Sequence, residues 1–311
     1  YDLDADTDFD MIESRTKVEA GSREIWNAVY AFILANDLKV PANYEYVKSQ
    51  IDLEEFMNYY LTEIYINNND WPETNIRYWR AYDNGCWRWV LYDVDFGFDV
   101  DQVNTNWLSY ILTCSDCSDL VIYQATVFRK LMENPQFRND FVQRFASHIN
   151  ITFDPARVNT IIDGMKAGIE PEMPAHIARW EKPASMKVWN ARISDLREFG
   201  NLRPASVIDH LDAYLGSPGT ANLTLNINGS GEVFAAGVKT PGSGYSGPYF
   251  KGVPMTLKAV PEPGWLFARW QETGSKNLEL TITLSRDLTR TAVFEQAAAT
   301  AYLPHIAVTD E

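Results

Sequence analysis

The apolar pattern changes its period once, just after Leu215, and that change limits the fold more than any other feature of the chain. Upstream, apolar residues recur at helical spacing. Leu53, Phe56, Tyr60 and Ile64 mark one face, and Asp52 stands where an N-cap belongs. Leu120, Tyr123, Val127 and Leu131 mark a second helix over 118–133. Phe137, Phe141, Phe145 and Ile149 mark a third, opened by Asn134 as N-cap and Pro135 at the first helical position. Further helices are predicted over 155–180, 187–199 and 205–215. The run GSPG at 216–219 reads as a linker. Beyond it, apolar and polar residues alternate over 223–227, 255–260, 278–284 and 291–294, with glycine-rich turns between. The expected class is α+β. A mainly helical domain spans 1–216, a small all-β module spans 220–297, and 298–311 starts a further, truncated segment.

Charge and cysteine usage narrow the function classes. The 311 residues carry 27 basic and 42 acidic side chains, a net charge of −15 with a pI near 4.7. Such a chain repels nucleic acid unless a basic patch exists, and none is visible. No apolar run approaches the ~18 residues of a membrane-spanning helix. Three cysteines and four scattered histidines do not make the paired spacing of a zinc site. Cys114 and Cys117 could form a local disulfide or remain thiols.

The stretch 67–101, NNNDWPETNIRYWRAYDNGCWRWVLYDVDFGFDVD, carries the chemistry. Asp70 and Asn75 open it, and Asp93 and Asp95 follow within D-V-D-F-G. Between them, 76–82 and 86–92 read as two aromatic strands joined by a turn at Asp83-Asn84-Gly85. A three-residue turn pairs Trp79 with Trp89 and sets Asn75 opposite Asp93, with Asp95 on the same face. A two-residue turn at Asn84-Gly85 instead sets Asn75 opposite Val94. The first register gathers one amide and two carboxylates beside Asp70. Such oxygen donors suit Mg²⁺ or Mn²⁺. They also follow the protein-kinase order: catalytic Asp, metal-binding Asn, hairpin, Asp-Phe-Gly. Asn68-Asn69 stand where His-Arg usually precedes the catalytic Asp.

The run resembles the CotH family of spore-coat and surface proteins with an atypical kinase fold. The resemblance runs from about Asp6 to Gly216. It includes I-D-L-E-E-F at 51–56, N-x-D-W-x-x-x-N at 68–75, D-V-D-F-G at 93–97, N-P-Q-F-R at 134–138, H-I-A-R-W at 176–180 and Arg203-Pro204. It implies a kinase-like C-lobe with a β-hairpin at its active site, and a metal-dependent transfer of the ATP γ-phosphate to protein Ser or Thr. Asp70 would be the catalytic base, with Asn75, Asp93 and Asp95 as metal ligands. It further implies a bacterial protein, secreted or attached to the cell surface, acting on a protein phosphoacceptor such as a surface or coat protein. Two residues compete as principal metal ligand: family spacing favours Asp93, and the literal Asp-Phe-Gly favours Asp95. The β-module in turn resembles bacterial surface repeats related to those of internalin B, through G-S-G-E-V at 229–233 and P-E-P-G-W-L-F-A-R-W at 261–270. That likeness implies a spacer or adhesive role.

The chain departs from a kinase at its start. Residues 1–50 offer Lys17, Lys39 and Lys48 outside any convincing strand, and no glycine-rich loop. The N-lobe is therefore expected to be largely missing and the chain alone inactive. Asp2, Asp4, Asp6, Asp8 and Asp10 read as solvated acids, and His176 as structural. The competing function is an inactive surface or coat scaffold that binds partners through its aromatic surfaces. Retention of Asp70, Asn75, Asp93 and Asp95 together favours the kinase.

Overall fold

The computed structural model describes residues 8–82 and 85–297. The expected segment 298–311, the acids Asp2, Asp4 and Asp6, and turn residues 83–84 lie outside them.

The chain begins with strands β1 (Phe9–Glu13) and β2 (Lys17–Ala20), then helices α1 (Glu24–Ala35), α2 (Pro41–Gln50) and α3 (Leu53–Ile66). Strands β3 (Arg77–Ala81) and β4 (Arg88–Val90) complete an antiparallel sheet in the order β2-β1-β3-β4. Lys17 thus lies in a strand after all, with its ammonium between Glu13 and Glu19. Asp10 is also not solvated. It is 3% exposed, accepts from the Ser22 N–H at 2.7 Å and faces Arg80.

Helices α4 (Trp107–Thr113), α5 (Asp119–Glu133), α6 (Pro135–Ile151), α7 (Pro155–Ile169), α8 (Met173–Trp180) and α9 (Met186–Tyr214) follow. The expected caps form: Asp52 accepts from Glu55 N–H, Ser118 from Val121 N–H, and Asn134 from Gln136 and Phe137 N–H. Cys114 and Cys117 are joined as a disulfide. The predicted helix over 155–180 is interrupted by a 3₁₀ turn, Glu170–Glu172, where Pro171 withholds an amide hydrogen. The predicted pair 187–199 and 205–215 is one helix that runs through Pro204. The neighbouring Arg203 holds it there by hydrogen bonds into the core.

The second half contains β5 (Thr220–Asn228), β6 (Gly231–Ala235), β7 (Val238–Lys239), β8 (Tyr245–Phe250), β9 (Pro254–Pro261), β10 (Trp265–Trp270), β11 (Glu279–Thr283) and β12 (Leu288–Gln296). They form two four-stranded sheets, β10-β12-β5-β8 and β11-β9-β6-β7. The predicted strands are β5, β9, β11 and β12. Of the others, β8 carries Gly247-Pro248 in its middle, β7 is only two residues long, and β6 and β10 are short runs without strict apolar–polar alternation.

These sheets do not hang from the helical part as a free spacer. Helix α6 is buried on two sides. Phe137, Phe141 and Phe145 pack toward α3 and α5, where Phe128 and Tyr60 stack at 4.5 Å. On the other side Gln143, Ser147 and Asn150, one helical step apart, face the sheets. Gln143 Nε2 donates to the carbonyls of Phe250 (3.0 Å) and Val253 (2.8 Å), and its Oε1 accepts from Phe250 N–H. Ser147 Oγ donates to Ala235 O at 2.8 Å, and Asn150 Nδ2 to Pro248 O at 2.8 Å. The Arg144 guanidinium lies against Gly237, where a Cβ would have no room. One apolar core runs through both halves.

Candidate active site

Helix α3 delivers the first acid. It is apolar on nearly every side, as a helix packed all round must be. Its first turn is tied to the hairpin: Asp52 pairs with Arg88 at 3.0 Å, and Glu55 accepts from Trp89 N–H at 2.9 Å. The helix ends at Asn67, left-handed at φ 60°, a conformation asparagine tolerates. Trp71 is buried against Tyr60 and Trp107, and Ile76 is buried beyond it. The chain between these anchors is a short arch that presents Asp70 half exposed. The Asp70 carbonyl accepts from Thr74 N–H and Oγ1 at 2.9 and 3.0 Å.

The hairpin then returns the chain to the same place, in a register different from either expected one. Arg77 pairs with Val90, Tyr78 with Trp89 and Trp79 with Arg88. The core selects this pairing. Tyr78 and Trp89 stack at 5.5 Å and, with Trp87, surround the buried Trp26. The expected register would have put Trp79 opposite Trp89 instead. Strand β4 is also pinned on its other edge: Trp87 N–H donates to Gln50 O, and Asp52 N–H donates to Trp87 O.

Asn75 and Asp93 lie beyond this ladder, so strand pairing does not bring them together. Both are left-handed, at φ 58° and 55°. The Asn75 side chain donates through Nδ2 to the Asp93 carbonyl at 3.2 Å. The expected neighbours therefore meet, but through side chain to main chain. Phe98 is left-handed as well, which is unusual for a bulky residue, and its N–H is fixed to Ile66 O at 2.8 Å. Gly97 packs so close to Ile66 that a Cβ there would press on the Ile66 carbonyl at 3.1 Å. Left-handed non-glycine residues cost about 1–3 kcal/mol each and concentrate at functional sites.

The acids feel one another. Loss of hydration, a hydrogen bond to Asp95 and the negative charges of Asp95 and Asp70 together raise the Asp93 carboxyl above its ordinary range. Asp93 and Asp95 are exposed and Asp70 half exposed, so the cluster opens to solvent. Among the described residues, no three His, Cys, Asp or Glu side chains converge closely enough to hold a metal ion by themselves. A cleft of about 450 Å³ lies between α2, α3, α6 and the sheets, but no residue of the acidic cluster lines it.

Two buried residues behind the cluster were invisible as site residues in the sequence. Arg203 is fully buried and donates to Ile64 O (2.7 Å) and Tyr65 O (2.9 Å) at the end of α3. The same guanidinium donates to Val103 O (2.6 Å) and Thr105 O (3.0 Å), after the Asp-Phe-Gly run. It thus clamps the segment leading to Asp70 to the segment following Asp95. Burial lowers its pKa to about 10, and helix-end carbonyls solvate the charge in place of a carboxylate. The other is Glu63, on the last turn of α3. Its only sequence signal is an acid among apolar neighbours. His176, by contrast, is exposed on α8.

The family model described as CotH kinase protein matches residues 4–207, about two thirds of the 311. The chain belongs to the CotH kinase family. The match takes in every element that builds the acidic cluster, and Arg203 with them, and stops before β5. The chain matches no curated protein and no solved structure. Among the described residues, no helix is long and apolar enough to cross a membrane.

Proposed function

We propose that this CotH kinase family member is a metal-dependent protein kinase that moves the γ-phosphate of ATP to a Ser or Thr hydroxyl. The CotH kinase family match, together with Asn75 tied to Asp93 in the D-V-D-F-G run, carries the reading; the raised Asp93 carboxyl beside Asp95 and Asp70 agrees with it. Carboxylates forced together without a cation are disfavoured in the ionised state, and a divalent ion with a phosphate chain supplies the missing charge. Mg²⁺ is commonly held by one or two carboxylates plus substrate phosphates, so a site lacking three converging protein ligands fits this chemistry. Asn75, Asp93 and Asp95 would hold the Mg²⁺ or Mn²⁺ ion. Bound there, it would neutralise the phosphate oxygens.

In the step itself the acceptor oxygen forms a bond to the γ-phosphorus as the bond to the β–γ bridging oxygen breaks, and ADP leaves. Asp70, supported by Thr74, orients the acceptor hydroxyl and takes its proton. Asn75 ties Asp93 to the arch that carries Asp70. By the family's character the protein is bacterial, secreted or attached to the cell surface, with surface or coat proteins as acceptors. The sheets after Gly219 would act as a surface repeat of the internalin-B type, here fixed to α6. Asp70→Asn tests the assignment. It should abolish transfer and leave the melting temperature within a degree or two. A loss of many degrees would make Asp70 a structural turn residue.

A further inference from the structure

The arch that presents Asp70 rests on a buried carboxyl group that no substrate can touch. Glu63 is fully buried on the last turn of α3. Its Oε2 accepts from Asn68 Nδ2 at 3.0 Å, and Asn68 is fully buried too. Asn68 Oδ1 in turn accepts from the main-chain N–H of Asp70 at 3.4 Å. Thr74 holds the Asp70 carbonyl from the opposite side. The peptide groups flanking the Asp70 side chain are therefore gripped at both ends, one of them through Asn68 and Glu63.

Glu63 has no better explanation where it stands. Burial raises its carboxyl to about 7, and the groups opposing that rise, Asn68 and Tyr59, are hydrogen-bonding groups rather than cations. Its second oxygen has no formed hydrogen bond, although the Tyr59 hydroxyl lies beside it. A buried acid of this kind costs stability, which an apolar side chain would restore. What it supplies is orientation. It fixes which way the Asn68 amide points, and so whether Asn68 offers an oxygen to Asp70. Asn68 stands two residues before Asp70, where H-R-D kinases carry histidine.

We propose that Glu63 is a positioning residue for phosphoryl transfer, acting through Asn68 to fix the main chain of Asp70. This rests on Asp70 being the catalytic base. Glu63→Leu fills the space but leaves the Asn68 amide unheld. Glu63→Gln can still offer Asn68 a carbonyl oxygen. A misplaced catalytic group costs about a hundredfold in rate, so Glu63→Leu should lower kcat about that much with KM for ATP changed less than about threefold. Glu63→Gln should restore most of the rate.

Two readouts separate this role from mere stability. Amide hydrogen exchange over 67–75 should speed up at least about tenfold in Glu63→Leu and stay slow in Glu63→Gln, with α5 and α6 unchanged. In an Asn68→Ala background, Glu63→Leu should cost nothing further in rate or protection, because the two residues act in series. Exchange that is unchanged over 67–75, or faster equally across α5 and α6, would overturn the positioning role. So would additive effects of the two substitutions. Rates are read on a version of the protein extended upstream of Tyr1; selective loosening of 67–75 with no transfer by that extended wild-type protein would instead overturn the kinase assignment, because the exchange arm does not depend on activity.

Discussion

Replacing Gln143 with leucine tests whether the sheets are part of the kinase domain's stability. Gln143 is fully buried on α6 and serves three main-chain groups of the β-region: the carbonyls of Phe250 and Val253 and the N–H of Phe250. Leucine fits the volume and satisfies none of them. A buried polar group left unpaired costs about 1–3 kcal/mol, and leucine's own burial returns part of that. We expect Gln143→Leu to destabilise the protein by about 4 kcal/mol. The assay is urea unfolding followed by tryptophan fluorescence and far-UV circular dichroism on the same samples. Both probes should shift together, because one core spans both halves. Gln143→Glu should be worse at pH 8 than at pH 4, since a buried carboxylate beside two carbonyls must lose its charge. A change below about 1 kcal/mol, or a β-region that unfolds apart from the helices in the wild-type chain, would show that Gln143 does not join the two halves.

Three further outcomes are expected. Glu63 has its carboxyl raised by burial from 4.5 to about 7, so the folded chain binds a proton that the unfolded chain has released. Its contribution is complete below pH 4.5 and falls by ~3 kcal/mol as pH rises to 7. The stability difference between wild type and Glu63→Gln should follow that slope, and a flat difference would show that Glu63 titrates alike in the folded and unfolded chain. Arg203→Lys keeps the charge but not the fork over four carbonyls. It should lower stability by about 2 kcal/mol or more in thermal unfolding, and a neutral result would contradict the clamp. Asp93→Asn relieves the carboxylate crowding, so without metal it should melt at the same temperature or higher while Mn²⁺ affinity drops. A melting point several degrees lower would make Asp93 a structural residue instead.

The helices were legible because their signals are local. Asp52, Ser118 and Asn134 cap the helices they precede, and the phenylalanines of α6 fall on one stripe. Local signals failed where tertiary contacts decide. Gly200 and Pro204 suggest a break in α9, but Arg203 anchors that turn to α3. Turn chemistry alone favoured the wrong hairpin register, because the choice belongs to Trp26 and its packing on Tyr78, Trp87 and Trp89. The motif order placed Asp70, Asn75, Asp93 and Asp95 in one neighbourhood, yet their meeting depends on left-handed main chain at Asn75 and Asp93. Glu63 and Arg203 carry no motif of their own. Their roles arise from carbonyls and amides that only the folded chain brings within reach.

In the proposed reaction the Asp70, Asn75, Asp93 and Asp95 cluster transfers the terminal phosphate of ATP. The direct measurement incubates a version of the protein extended upstream of Tyr1 with Mn²⁺ and a mixed-protein acceptor, using ATP labelled at the γ-phosphate in one arm and at the α-phosphate in the other. Asp70→Asn runs beside the wild type. The expected result is γ-label on Ser or Thr, no α-label, and loss of incorporation in Asp70→Asn. Incorporation of α-label, or γ-label that survives Asp70→Asn, would contradict it.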